Sequence, residues 1–139
     1  MKPEIILGGK FEDERGILFY NNDFDASLIK RIYFIENAST TFERGWQGHK
    51  IEERWFVAVG GTIKISLIKI DDWDTPSPDL EFKTFELSQD EYKVLHVPAG
   101  YVSCIQTMTD DARLMVMSNY KLGEIKDEYR FPLETFKRK

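Results

Sequence analysis

Alternation of apolar and polar residues is the main pattern along the chain. It is clearest at 62–67, where Ile63, Ile65 and Leu67 occupy every second position, as in a strand with one buried face. Runs rich in β-branched and aromatic residues predict further strands at 17–20, 30–36, 55–59, 80–87, 93–97, 103–108 and 112–120. A helical period is weak except at 25–29 and 126–136, and Pro132 interrupts the second of these segments. The pattern therefore predicts an all-β protein.

Glycine and proline clusters separate the predicted strands. Gly60-Gly61 predicts a tight hairpin between 55–59 and 62–68, and Pro98-Ala99-Gly100 predicts a second turn. The stretch 71–79, rich in proline and aspartate, predicts a long hairpin loop and not a domain boundary. Turn signals at intervals of about ten residues are typical of a β-sandwich or barrel. We expect residues 1–139 to form a single domain of this kind.

Composition and charge narrow the class of protein. Hydrophobic residues make up 42% and charged residues 31% of the 139, and no apolar run approaches the roughly 18 residues of a membrane helix. The net charge of −5 argues against a nucleic-acid partner. A single cysteine, Cys104, excludes an internal disulfide and a multi-cysteine metal site. With no apolar stretch typical of a secretory signal at the start, we expect a cytoplasmic protein without membrane partners.

The segment 44–50 concentrates two cations, an amide and an imidazole within seven residues. On a regular extended strand Gln47, His49 and Glu53 share one face, which predicts a carboxamide, an imidazole and a carboxylate in the mouth of a barrel. Because histidine titrates near neutrality, His49 can remove a proton beside a carbonyl group. The other interpretation is a polar strand end with a hydrogen-bonded histidine. His96, between two apolar neighbours, is either a packed core residue or a member of the pocket.

Two motifs resemble those of the cupins. Gln47-x-His49-x3-Glu53-x6-Gly60 is similar to the first cupin motif, His-x-His-x3-Glu-x6-Gly, with glutamine at the first histidine. Pro98-x-Gly100 is similar to the core of the second motif, with Ser103 in place of its histidine. Metal-binding cupins use three histidines and one glutamate from these positions. Since glutamine and serine are poor ligands for the metals concerned, we expect no bound metal.

Within the cupins, residues 10–137 resemble the isomerases and epimerases of dTDP-linked 4-keto-6-deoxyhexoses. Arg44-Gly45-x-Gln47-Gly48-His49-Lys50 is similar to the Arg-Gly-x-His-Ala-His-Lys signature of the sugar 3,4-ketoisomerases. Four further motifs resemble those of the same enzymes: Asp13-Glu14-Arg15-Gly16, Arg31-Ile32-Tyr33-Phe34-Ile35, Ser118-Asn119-Tyr120 and Asp127-Glu128-Tyr129-Arg130. The order and spacing of all these motifs carry the resemblance.

The resemblance implies a fold, an assembly and a reaction. The fold is a cupin jelly roll, and the assembly is a homodimer that exchanges N-terminal strands. The reaction is 3,4-ketoisomerisation of a nucleotide-linked sugar, with dTDP as the expected nucleotide, through an enediolate between C3 and C4. No cofactor is expected, because the carbonyl group already acidifies the C3 proton.

The resemblance also implies roles for individual residues. We expect His49 to act as the base and Gln47 to donate a hydrogen bond to the enediolate oxygen. Tyr33 is a candidate proton donor, and Arg15 and Arg44 are candidates for holding the diphosphate. The remaining expected substrate contacts are Glu53, His96, Ser103 and Tyr120.

Glutamine at position 47 leaves other functions open. A cupin that binds a sugar nucleotide without catalysis is one alternative. A 3,5-epimerase-like enzyme with a remodelled site is another, although the positions of its base and acid correspond to Gln47 and Met115, neither of which transfers a proton. A metal-dependent cupin enzyme is the third, and the depleted ligand set disfavours it.

Overall fold

The computed structural model describes residues 1–137, and strands dominate this part of the chain. A short 3₁₀ helix, Leu133–Thr135, follows the last strand. In chain order the strands are β1 (Glu4–Ile6), β2 (Gly9–Asp13), β3 (Gly16–Tyr20), β4 (Arg31–Ile35), β5 (Glu43–His49), β6 (Arg54–Gly60), β7 (Thr62–Lys69), β8 (Lys83–Ser88), β9 (Val94–Val97), β10 (Tyr101–Thr107), β11 (Arg113–Ser118) and β12 (Tyr129–Arg130).

Two five-stranded antiparallel sheets pack face to face. The first has the order β1-β9-β6-β11-β4 and the second the order β12-β5-β10-β7-β8, while β2 and β3 pair only with each other. The inner faces of both sheets contribute to one core, in which Ile63, Ile65 and Leu67 of the second sheet meet Leu114 and Val116 of the first. The expected all-β jelly-roll architecture and the alternation at 62–67 are confirmed.

The outer faces of both sheets are also partly covered. Trp55, Val57 and Met117 on the first sheet pack under residues from the segment between β3 and β4. On the second sheet Trp46 is buried against Phe136, which follows the 3₁₀ helix. A large cavity lies between the sheets and is lined by residues of both.

The predicted strands correspond to β3, β4 and β6–β11 with boundaries shifted by a few residues. The sequence pattern missed β1, β2 and β12, which are short or carry mixed polar residues. No α-helix forms at 25–29 or 126–136, where the second segment contains only the 3₁₀ helix after Pro132. The two segments instead form loops that place apolar side chains against the outer faces of the sheets.

The hairpin prediction at Gly60-Gly61 was wrong about strand pairing. A tight turn does form, and Gly61 has a φ of +58°, which suits glycine. However, β6 pairs with β9 and β11 in the first sheet, whereas β7 pairs with β8 and β10 in the second. The turn therefore carries the chain between sheets. The loop at 71–79 does join two paired strands, β7 and β8, as expected.

The described residues contain no helix with the length and hydropathy needed to span a bilayer.

Candidate active site

A cavity of about 720 Å³ lies between the two sheets and is bordered on one side by the segment 121–130. Its walls come from β4, β5, β6 and β10. This volume falls in the range of small-molecule sites. The cavity is thus large enough for a ligand of nucleotide-sugar size.

Strand β5 carries the central side chains of the cavity. His49 lies opposite Tyr101 of β10, and Gln47 lies opposite Ser103. On its other side β5 pairs with β12, where Arg130 lies opposite Gln47. Directly opposed residues in antiparallel strands point to the same face, and all five of these residues line the cavity.

His49 is held in one orientation by the main chain. Its Nδ1 lies 2.8 Å from the backbone carbonyl oxygen of Asp127. A carbonyl oxygen only accepts hydrogen bonds, so Nδ1 is the donor, and the neutral ring carries its lone pair on Nε2. Nε2 is therefore the atom of His49 that can accept a proton from a ligand.

The surroundings of His49 favour the neutral imidazole. Burial lowers the pKa of His49 below its ordinary value of 6.5, and the positive charge of Arg54 lowers it further. The hydrogen bond to Asp127 and the negative charges of Glu52 and Asp127 act in the opposite direction, but the net shift of the pKa is downward. His49 is consequently neutral at pH 7 and available as a base.

The side chain of Asp127 organises the turn after His49. Its carboxylate accepts hydrogen bonds from the backbone N–H groups of Lys50, Ile51 and Glu52 at 2.8–3.0 Å. The residue is only 3% exposed. Asp127 thus holds the catalytic candidate through its carbonyl group and the following turn through its carboxylate.

Glu52 and Arg54 form a second buried charged group beside His49. Arg54 Nη1 donates to Glu52 Oε1 at 2.8 Å and to Ser118 Oγ at 2.7 Å. Ser118 Oγ in turn donates to the same glutamate oxygen at 3.0 Å. The pairing compensates two charges that would be costly to bury alone.

Three potential ligand atoms of His49, Glu52 and Asp127 lie within 4.8 Å of one another. Each residue already has internal partners: Nδ1 of His49 bonds to a carbonyl, the Asp127 carboxylate binds three N–H groups, and Glu52 pairs with Arg54. The adjacent guanidinium also opposes a cation. The arrangement therefore suits the positioning of His49 better than metal coordination, and we assign no metal to it.

Several positively charged side chains also border the cavity. The cavity is lined by Arg31, Arg44, Lys121, Lys126 and Arg130. Arg44 also donates to Asn37 Oδ1 at 3.1 Å, which orients its guanidinium. Arginine and lysine at such positions are suited to the oxygens of a diphosphate.

The structure corrects the expected positions of Glu53 and His96. Strand β5 ends at His49, and the turn at 50–53 moves the chain into the other sheet, so Glu53 does not share the face of His49. Glu53 Oε1 instead accepts a hydrogen bond of 2.6 Å from His96 Nε2. His96 stacks on Trp55 at the outer face of the first sheet. Neither residue lines the cavity, and Glu52 does so in place of Glu53.

The other expected residues divide into two groups. Tyr33, Arg44 and Ser103 line the cavity with Gln47 and His49. Arg15 does not: it lies in the turn between β2 and β3, with its side chain 80% exposed and paired with Asp13. Tyr120 also lies outside the cavity lining, with its ring below Lys30.

Met115, which by sequence corresponds to the acid of the epimerases, does not line the cavity. It packs with the outer-face cluster of the first sheet, while its neighbours Leu114 and Val116 face the core. Tyr101, which the sequence offers with Tyr33 and Tyr120 as a proton donor or stacking surface, does line the cavity. The candidate residues drawn from the sequence did not include four others that shape the cavity: Glu52, Arg54, Asp127 and Glu128. Of these, only Asp127 and Glu128 belong to a motif that the sequence analysis singled out, the tail motif 127–130.

Comparison with solved structures supports the fold. The 3,4-ketoisomerase QdtA from Thermoanaerobacterium thermosaccharolyticum, solved with TDP, has 25% identity and a TM-score of 0.72, covering 94% of this chain and 88% of that chain. A histidine-to-asparagine mutant of QdtA has also been solved with TDP-4-keto-6-deoxyglucose. The TDP-quinovose 3,4-ketoisomerase WlaRB from Campylobacter jejuni is similar in fold, with 21% identity, a TM-score of 0.69 and coverage of 93% and 92%.

A further fold relative is the rmlC epimerase of Mycobacterium tuberculosis, with 13% identity, a TM-score of 0.73 and coverage of 92% of this chain and 68% of that chain. No curated protein sequence matches the chain. Residues 1–138 match the WxcM-like, C-terminal family over nearly the whole length. The chain therefore belongs to the WxcM-like, C-terminal family.

Proposed function

We propose that the protein is a sugar 3,4-ketoisomerase that acts on a TDP-linked 4-keto-6-deoxyhexose. The observation that carries this proposal is the orientation of His49, whose Nδ1–H is bound to the Asp127 carbonyl so that Nε2 serves as the base. The similarity to QdtA, which binds TDP and TDP-4-keto-6-deoxyglucose, supports the class of substrate.

In this mechanism Nε2 of His49 takes the proton from C3 of the sugar. The electrons of the C–H bond form a C3–C4 double bond, and the C4 oxygen becomes negative. A proton, which exchanges with solvent while it is on Nε2, then passes from His49 to C4. The proton of the C3 hydroxyl is transferred to the C4 oxygen, and the C3 oxygen forms the new carbonyl group. The keto group has moved from C4 to C3, and no cofactor takes part.

The cavity provides groups for the charges on the substrate. Gln47 has two amide hydrogens, one of which is bound to Glu128, so the other is free for the enediolate oxygen. We assign the diphosphate to the arginines and lysines of the cavity wall, including Arg44. Tyr33 and Ser103 border the same space and are proposed as polar contacts to the ligand.

Incubation of the protein with TDP-4-keto-6-deoxyglucose in heavy water tests the proposal. We expect deuterium to enter the sugar at C3 or C4 and the 3-keto isomer to accumulate, as measured by NMR. Buffer without protein and heat-denatured protein provide the controls. Binding of the sugar nucleotide without exchange and without product would contradict an isomerase.

That result would favour the second candidate function, a cupin that binds sugar nucleotides without catalysis. Gln47 is the specific observation behind it, because an amide cannot take the place of a second titrating histidine. Replacement Gln47→His should then restore some exchange, since the new imidazole would face the same cavity.

We further propose a cytoplasmic homodimer built through the ribbon of β2 and β3. This ribbon pairs with no other strand among residues 1–137 and exposes apolar side chains, with Phe11 57% and Leu18 63% exposed. An isolated two-stranded ribbon is marginally stable in water, and β4 offers a free sheet edge on which a partner strand can add. Arg15 would then contribute to a site only through a partner subunit.

A further inference from the structure

Glu128 faces the cavity beside the candidate base. The register of β12 and β5 pairs Tyr129 with Gly48 and Arg130 with Gln47. Continuing this register by one residue places Glu128 opposite His49. Glu128, Gln47 and His49 all line the cavity. A carboxylate and the imidazole base therefore lie side by side on the same wall.

The orientation of the Glu128 carboxylate is set by two neighbours. Gln47 Nε2 donates to Oε1 at 2.5 Å, and Arg130 donates to the same oxygen through Nε at 3.1 Å and Nη2 at 2.8 Å. Oε2 has no hydrogen-bond partner among the described residues. With its side chain 52% exposed, Glu128 is accessible to a ligand that enters the cavity.

The proposed isomerisation moves two protons. One leaves C3 for His49 Nε2, where it can exchange with solvent, and Nε2 then delivers a proton to C4. The other must leave the C3 oxygen and reach the C4 oxygen, because the product has a carbonyl group at C3 and a hydroxyl group at C4. A second group that can accept and release a proton is needed for this transfer.

The other carboxylates around the cavity are already engaged. Glu52 pairs with Arg54, and Asp127 binds three backbone N–H groups. Glu36 pairs with Arg113 at 2.7 Å. Glu128 differs from all three because its carboxylate is bound to Gln47 and lies opposite His49 in the register of β12 and β5.

We propose that Glu128 carries the proton between the two substrate oxygens, with Gln47 as its positioning residue; this inference rests on the proposed isomerase function. In the enediolate Oε2 accepts the proton of the C3 hydroxyl and delivers it to the negative C4 oxygen. The negative charge is then on the C3 oxygen, which forms the carbonyl group as C4 takes the proton from His49. The ketoisomerase signature has a histidine at the position of Gln47. In this protein Gln47 carries no proton itself but holds the Glu128 carboxylate in place.

The variant Glu128→Gln tests the proposal, because it keeps an oxygen for Gln47 and Arg130 but cannot shuttle a proton at neutral pH. Exchange at C3 and formation of the 3-keto product are measured separately in heavy water with TDP-4-keto-6-deoxyglucose. We expect TDP binding and C3 exchange to persist while product formation falls by about 10²–10⁴. Glu128→Asp should recover part of the product formation, since it retains the carboxylate.

Three results would overturn the inference. Product formation by Glu128→Gln within threefold of the wild-type rate would show that the carboxylate is not needed. A parallel loss of exchange and product would place Glu128 in the first proton transfer or in ligand binding. Failure of Glu128→Asp to recover any product, in a protein with wild-type melting temperature, would show that the carboxylate does not supply the missing step.

The same measurements on wild-type protein test the proposed isomerase function separately from the role of Glu128. Wild-type protein that shows neither exchange nor product refutes the isomerase, and with it the role of Glu128. Wild-type protein that makes product gives the reference rate for the variants. Glu86→Gln in β8, outside the cavity lining, is the matched control for the substitution itself.

Discussion

The Nδ1–H group of His49 bonds to the backbone carbonyl of Asp127, 78 residues away in the chain. The residue that orients the candidate base therefore acts through its main chain, while its side chain binds the turn that follows the base. A substitution at position 127 can disturb the turn without removing the acceptor of the imidazole. The two roles of Asp127 can thus be measured separately.

Replacement of His49 by Asn removes the group that titrates near neutrality but keeps a polar side chain. Since a positioned base typically contributes about 10²–10⁴ in rate, we expect C3 exchange to fall by that factor. TDP affinity should change little, because the cations of the cavity wall hold the diphosphate. Exchange is followed by NMR and affinity by calorimetry. Loss of binding together with exchange would instead make His49 a ligand contact or a structural residue.

The pH dependence of the reaction follows from the lowered pKa of His49. Nε2 accepts a proton only while the ring is neutral, and burial together with Arg54 keeps the pKa below 6.5. The acid limb of kcat/KM should therefore have its midpoint below 6.5. Replacement Glu52→Gln removes a charge that raises this pKa, so the midpoint should move to still lower pH. A midpoint above 6.5, or an upward shift in the variant, would contradict this assignment.

Removal of the Asp127 carboxylate should destabilise the fold. In Asp127→Ala three backbone N–H groups of the turn after His49 lose a charged acceptor. We expect the free energy of unfolding to fall by about 2–4 kcal/mol, as measured by denaturant unfolding. Asp110→Ala, at an exposed position, is the matched control and should change stability by less than about 0.5 kcal/mol. Equal stability of both variants would show that water replaces the carboxylate.

Most of the strands, and Gln47 and His49 in the site, were predictable from the sequence because they depend on local patterns. Alternation at 62–67 follows from burial of one face, and Gln47 and His49 share a face because β5 is extended between them. The same rule failed for Glu53, since it holds only while the strand continues. The chain turns after His49, and a change of one residue reverses the facing of everything beyond it.

Contacts between distant segments could not be predicted in the same way. Nothing in the sequence around Gly60-Gly61 indicates that β6 and β7 enter different sheets. A turn motif shows where the chain reverses but does not specify whether the two flanking strands pair with each other. The positions of Asp127 and Glu128 beside His49 depend on the pairing of β12 with β5. That pairing joins two residues to a strand about 80 positions earlier, so it follows only from the whole topology.

The ribbon of β2 and β3 is the proposed dimer interface. Phe11 and Leu18 lie directly opposite each other in this ribbon, so they form one apolar surface. Replacement of Leu18 by Glu places a charge in that surface, and we expect the dimer to dissociate at micromolar concentration, as measured by analytical ultracentrifugation. Met108→Glu, also at an exposed apolar position but outside the ribbon, should leave the mass unchanged. A wild-type protein that is monomeric at high concentration, or a Leu18→Glu variant as dimeric as wild type, would show that the ribbon does not form the interface.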